Sequence, residues 1–187
     1  MNALLFPGQG SQVVGMGLEF YNNFDRVKKI FKQADEKLNK PISKIILEGP
    51  EDELKLTENT QPAILTVSYS IFSILKDEFN FKLNTSNFYA GHSLGEYSAL
   101  VCSGSLNFFD ALYLLSERGK AMQEAVPVGK GKMIAILGSN ILEIQKLIKK
   151  LEKNEKSVCE IANDNAEGQT IISGDVQTIN LFQEILK

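Results

Sequence analysis

Hydrophobic positions along the chain fall into short continuous runs and into longer stretches spaced at three and four residues, which sorts them into candidate strands and helices. Residues 2–6 (NALLF) are an apolar run closed by Pro7-Gly8, predicting a buried strand and a sharp turn. Val27, Ile30, Phe31, Ala34 and Leu38 follow the i, i+3, i+4, i+7 spacing of an amphipathic helix. Residues 41–58 show only short alternating apolar and polar pieces, with Gly49-Pro50 as a breaker. Thr60 as N-cap and Pro62 in the first turn predict a helix with Ile64, Val67, Ile71, Ile74 and Leu75 as its stripe. Residues 87–92 (NFYAGH) read as a strand, followed by a helix from about Leu94 to Val101. Asn107 and Asp110 have capping-box spacing ahead of a further helix. Its stripe is Leu112, Leu115, Gly119 and Met122, and it ends before Pro127.

The pattern then shifts. Gly129-Lys130-Gly131-Lys132 reads as a linker. Beyond it the spacing predicts a strand (Met133–Leu137), a helix (about Ile141–Leu151), two strands (Val158–Ala162 and Thr170–Ser173) and a helix (about Thr178–Leu186). That β-α-β-β-α order matches most of a ferredoxin-like unit lacking its last strand. The domain boundary is expected near residue 129, with 1–128 before it and 129–187 after it.

Composition narrows the function classes. The 187 residues are 43 % hydrophobic and 23 % charged, a globular balance. A net charge of −3 argues against a nucleic-acid binder, which needs a basic surplus to neutralise phosphates. No stretch reaches the ~18 apolar residues of a membrane span. The start, MNALLFPGQG, lacks the basic and apolar regions of a signal peptide. Cys102 and Cys159 have no ligand spacing around them, so neither a disulfide framework nor a metal site is expected, and a reducing cytoplasm fits. The single histidine, His92, restricts acid–base chemistry.

Gly91-His92-Ser93-Leu94-Gly95 is a G-x-S-x-G motif between an expected strand and an expected helix. Such an elbow holds its serine on a strained turn, with glycines two residues to either side preventing backbone crowding. Ser93 would project at a helix N-terminus, where backbone N–H groups stabilise a developing oxyanion. The competing reading is a glycine-flanked turn. Pro7-Gly8-Gln9-Gly10-Ser11-Gln12 has Val13 where a dinucleotide fingerprint has its third glycine. It is a loop whose amides can approach a substrate oxygen, or a plain turn. Arg118 lies among Leu115 and Met122 at helical spacing; a partly buried guanidinium needs an anion, whether a structural partner or a substrate carboxylate. His92 adjoins Ser93 on a sharp turn where consecutive side chains diverge, which gives it a structural or orienting role rather than a catalytic one.

FPGQGSQ at 6–12, TQPA at 60–63, GHSLGEYSAL at 91–100 and RGKAMQEAVP at 118–127 together resemble the malonyl-CoA:acyl carrier protein transacylases and the related acyltransferase domains of polyketide and fatty-acid synthases. The resemblance covers essentially the whole chain. It implies an α/β-hydrolase-like large domain, incomplete here, with an inserted ferredoxin-like α+β subdomain. It implies ping-pong transfer of malonyl from malonyl-CoA to a serine and then to the phosphopantetheine thiol of acyl carrier protein, in the cytoplasm, without a cofactor. Carried over by motif, Ser93 is the nucleophile, the amides of Gln9 and Leu94 form the oxyanion hole, and Arg118 pairs with the malonyl carboxylate. Met122, Asn163 and Asn165 join Arg118 in substrate binding; Glu167 stands in the 163–169 stretch where a proline is common in the family. The family's catalytic histidine lies beyond the last expected helix, so residues 1–187 by themselves are expected to be nearly inactive and to fold poorly. Methylmalonyl and similar carboxylated donors are a close alternative. A lipase-type serine hydrolase is disfavoured, because Arg118 would penalise a neutral fatty chain. A non-catalytic acyl-CoA or carrier-protein binder is a third class.

Overall fold

A computed structural model describes residues 2–79, 86–127, 129–151 and 157–186. The chain divides into two compact units, Met1–Gln123 and Glu124–Lys187. Residue 128, the expected end of the first domain, lies outside the described residues. The architecture is mixed α/β. Among the described residues no helix is long and apolar enough to cross a membrane.

The first unit runs β1 (Asn2–Phe6), α1 (Leu18–Asn23), α2 (Asp25–Leu38), α3 (Ile42–Glu48), α4 (Glu51–Lys55), α5 (Thr57–Asp77), β2 (Ser86–Gly91), α6 (Gly95–Cys102) and α7 (Phe108–Ala125). β1 and β2 pair in parallel with Phe6 opposite Gly91, so the loops leaving both strands emerge side by side. In open α/β sheets that carboxyl edge is where ligands bind. Leu4 and Phe6 pack with Phe72 of α5 and Ala99 and Cys102 of α6. Leu5 points to the opposite face, as the period of two requires, and is 77 % exposed. The expectation of a wholly buried strand is thus corrected: an apolar run identifies a strand but not what covers each face.

Of the stripe expected on α2, Val27, Ile30, Phe31 and Ala34 are buried and Leu38 is half-buried at its end. The stripe meets Ile42, Ile45 and Ile46 of α3, Leu54 of α4 and Leu112 and Leu115 of α7 in one core. Apart from Ala34, each such side chain contributes about 1.5–3 kcal/mol on burial. α3 and α4 occupy the stretch where only broken pieces were expected; each is shorter than the window in which a helical period shows. α5 starts at Thr57, not after Thr60. Its first hydrogen bonds run to the Leu56 carbonyl, which accepts the Asn59 and Thr60 N–H groups, while the Thr60 hydroxyl donates to the Leu54 carbonyl. From Asn59 to Val67 this helix is buried all round, so Pro62 sits within it rather than at its start.

The second unit contains β3 (Gly131–Leu137), α8 (Ile141–Leu151), β4 (Cys159–Ala166), β5 (Gln169–Asp175) and α9 (Val176–Leu186). The strands form an antiparallel sheet in the order β3-β5-β4. Ile136, Cys159 and Ile172 of the sheet pack with Ile144 and Ile148 of α8 and Ile179 and Phe182 of α9. Gly131 and Lys132, expected in a linker, open β3 by pairing with Asp175 and Gly174. β4 runs four residues past its expected end because β5 offers it a partner as far as Ala166.

Asp175 joins β5 to α9. Its carboxylate accepts hydrogen bonds from the Thr178 N–H (2.8 Å), the Thr178 hydroxyl (2.7 Å) and the Val158 N–H (2.9 Å). The Thr178 backbone bond foremost, then the hydroxyl and Val158, hold its carboxyl down at about 2. These donors favour the charged form, so the stabilisation is complete above the unfolded pKa of about 3.9 and is lost as pH falls towards the folded value. Thermal unfolding of Asp175→Ala should show a lower Tm than wild type at pH 7. That gap should narrow below about pH 4 as the wild-type carboxylate takes up its proton. A gap independent of pH would show that the carboxylate does not tie these elements together.

Candidate active site

Ser93 has φ 55°, a left-handed conformation that a non-glycine residue adopts at a cost of about 1–2 kcal/mol. The strain is held by bonds on both sides. The His92 N–H donates to the Phe6 carbonyl of β1 (3.2 Å), the Gly95 N–H to the His92 carbonyl (2.9 Å) and the Glu96 N–H to the Ser93 carbonyl (3.1 Å). The flanking glycines are sterically required. A Cβ on Gly91 would lie 1.9 Å from the Gly95 carbonyl carbon, and one on Gly95 would lie 2.4 Å from the Phe6 oxygen. Strand, turn and helix are therefore packed backbone against backbone, and Ser93 is left exposed at the carboxyl edge of the sheet.

Arg118 reaches this serine from α7. Its Nη2 donates to Ser93 Oγ at 2.9 Å, and its Nη1 donates to Gln61 Oε1 on α5 at 2.6 Å. The two helices touch because residue 119 is glycine: a Cβ there would meet Glu58 Cα at 2.5 Å and the Thr57 oxygen at 2.7 Å. Gln61 is fully buried, and its Nε2 donates to Met122 Sδ at 3.3 Å. Serine hydroxyl, guanidinium, amide and thioether thus form one connected chain.

Other expected site residues fall as follows. Gln9 lies in the loop after β1, with its side-chain Nε2 donating to Thr57 Oγ1 at 3.3 Å. Leu94 is buried at the N-cap of α6. Among the described residues neither the Gln9 nor the Leu94 backbone N–H donates a hydrogen bond. Met122 joins the cluster through Gln61. The His92 ring lies against Gly8, where a Cβ would come within 2.7 Å of its Nδ1. Asn163 and Asn165 lie in the second unit on β4, Asn163 opposite Ile171 and Asn165 at a register shift between Asp164 and Ala166. They are strand residues, not turn residues. Gln61, the glutamine of the TQPA block, is a site residue that the motif alone does not mark; its signal is a glutamine that the helical period buries among apolar neighbours. Burial pushes the Cys102 thiol up to about 12, so it is protonated at neutral pH and does not compete as a nucleophile. A 590 Å³ cavity lined by Arg26, Lys29, Tyr69 and Phe108 shares no residue with this cluster. Backbone strain and converging polar groups, rather than cavity size, mark the site.

The model of the family described as the acyl transferase domain matches residues 3–187. A malonyl CoA-acyl carrier protein transacylase of Bacillus subtilis (strain 168) is 45 % identical over 185 residues, 99 % of this chain and 57 % of its own length. An acyl-carrier-protein S-malonyltransferase of Bartonella henselae superposes with a TM-score of 0.90 at 40 % identity, covering 99 % of this chain and 59 % of that one. A malonyl transacylase solved in complex with its type II polyketide acyl carrier protein superposes with a TM-score of 0.88 at 37 % identity, covering 97 % and 57 %. The chain therefore spans somewhat more than half the length of each.

Gly119→Ala sets two effects against each other. Alanine gains about 1 kcal/mol over glycine in a helix interior. The added Cβ, however, meets backbone atoms of α5 that have no rotamer to change, and overpacking costs about 1–3 kcal/mol or more. Net destabilisation of up to about 2 kcal/mol or more in urea unfolding is expected. A stabilised variant would mean that the α5–α7 contact is not tight.

Proposed function

Since the chain belongs to the acyl transferase domain family, we propose that it carries the nucleophile and the carboxylate-binding arginine of a malonyl-CoA:acyl carrier protein transacylase acting in cytoplasmic fatty-acid synthesis. On this reading the first unit belongs to an α/β-hydrolase-like large domain, and the second is its inserted ferredoxin-like subdomain. The observation that carries the proposal is the Arg118 guanidinium at 2.9 Å from the oxygen of a strained elbow serine. A lipase has no use for a cation there, whereas an acyl group ending in a carboxylate does.

Ser93 Oγ attacks the thioester carbonyl carbon of malonyl-CoA. Its proton goes to a base, on this reading a histidine beyond α9. The tetrahedral oxyanion is received by the N–H groups of Gln9 and Leu94, and its collapse breaks the C–S bond and releases coenzyme A as the thiol. The phosphopantetheine thiol of acyl carrier protein then attacks the serine ester, and Ser93 regains its proton. Malonyl-CoA is a substrate, and the cycle needs no cofactor or metal. During both half-reactions Arg118 holds the distal carboxylate. Asn163 and Asn165 are kept as substrate contacts on the family likeness alone.

Incubating the full-length protein with malonyl-CoA, followed by digestion and peptide mass analysis, should locate malonyl on Ser93. Label on Cys102 or Cys159 with Ser93 unmodified would overturn the mechanism. Arg118→Ala strands a substrate carboxylate, a loss of about 3–5 kcal/mol when one partner of a buried pair is removed. Malonyl transfer should therefore fall roughly a hundred- to several-thousand-fold. Acetyl transfer, with no carboxylate to strand, should fall far less. Equal losses would make Arg118 structural.

A further inference from the structure

The partner chosen for Arg118 is unusual in its charge. A guanidinium has only donors, so the Gln61 atom 2.6 Å from Nη1 is the amide oxygen, and the amide nitrogen is left for the weak acceptor Met122 Sδ. Gln61 is fully buried on a helix locked against α7 through Gly119, so this oxygen is a fixed point. It occupies one edge of the guanidinium fork while Nη2 faces the reacting serine. An amide oxygen orients the fork without neutralising it. A carboxylate at the same place would form a charge-assisted bidentate pair and satisfy the cation before any substrate arrived.

We propose that Gln61 is a positioning residue that sets selectivity for carboxylated acyl groups: it aims the Arg118 guanidinium at the acyl site and leaves its charge free for the substrate. This rests on the malonyl-transfer reading above, which Arg118→Ala tests separately. In the full-length protein, kcat and KM are measured for malonyl-CoA and acetyl-CoA in wild type, Gln61→Glu and the near-isosteric Gln61→Met, whose thioether is only a weak acceptor, with Gln61→Met repeated in the Arg118→Ala background. Thermal unfolding checks that the variants fold. Gln61→Glu should raise KM for malonyl-CoA roughly ten- to a hundredfold and leave acetyl transfer within about threefold. Gln61→Met should raise it about three- to tenfold. Gln61→Met should have no further effect once Arg118 is alanine, because Gln61 acts only through it. Parallel losses for both substrates, losses that persist in the Arg118→Ala background, or a Gln61→Glu protein that matches wild type would each overturn the proposal. If malonyl transfer depends on Arg118 but not on Gln61, only the positioning role fails. If wild type shows no Arg118-dependent malonyl transfer, both fall.

Discussion

A guanidinium held 2.6 Å from a buried amide oxygen and 2.9 Å from a strained serine ties together α5, α7 and the β2–α6 turn. These elements are far apart in the chain: Gln61 and Arg118 are separated by 57 positions, Ser93 and Arg118 by 25. Much of the first unit can be understood as the scaffold that keeps this contact in register. α2, α3 and α4 bury their apolar faces against α5 and α7, which makes α5 a central helix rather than a surface one. A central helix can carry a fully buried glutamine only if its amide is hydrogen-bonded, and Arg118 supplies that partner.

Three glycines make the arrangement sterically possible. Gly91 and Gly95 let strand, elbow and helix meet at backbone distance, and Gly119 does the same for α5 and α7. The first pair fixes where Ser93 stands; the third fixes where Arg118 stands. The left-handed backbone at Ser93 is maintained by the ladder bond to Phe6 and the opening bonds of α6. The strain at the serine is thus offset by ordinary secondary structure on either side.

What was legible in the sequence was local. Gly91 to Gly95 spells its own geometry, because strand, turn and helix are contiguous, and the α2 stripe repeats over enough turns to show its period. What was not legible depended on partners. Leu5 belongs to an apolar run yet is exposed, since nothing in the run says which face is covered. Thr60 looks like a cap but is buried within α5, whose first hydrogen bonds start one turn earlier at the Leu56 carbonyl. The strand through Asn163 and Asn165 persists because β5 pairs with it, against the turn preference of asparagine. Gln61 went unassigned because its partner lies on another helix.

If the Gln61–Arg118 pair presents an uncommitted positive charge beside Ser93, a crystal structure of the full-length Ser93→Ala protein with malonyl-CoA should show where that charge goes. The account predicts the malonyl carboxylate in a hydrogen-bonded ion pair with Arg118, the thioester carbon over residue 93 and Nη1 still on Gln61. A malonyl carboxylate bound elsewhere, with Arg118 unchanged and turned away from it, would contradict it.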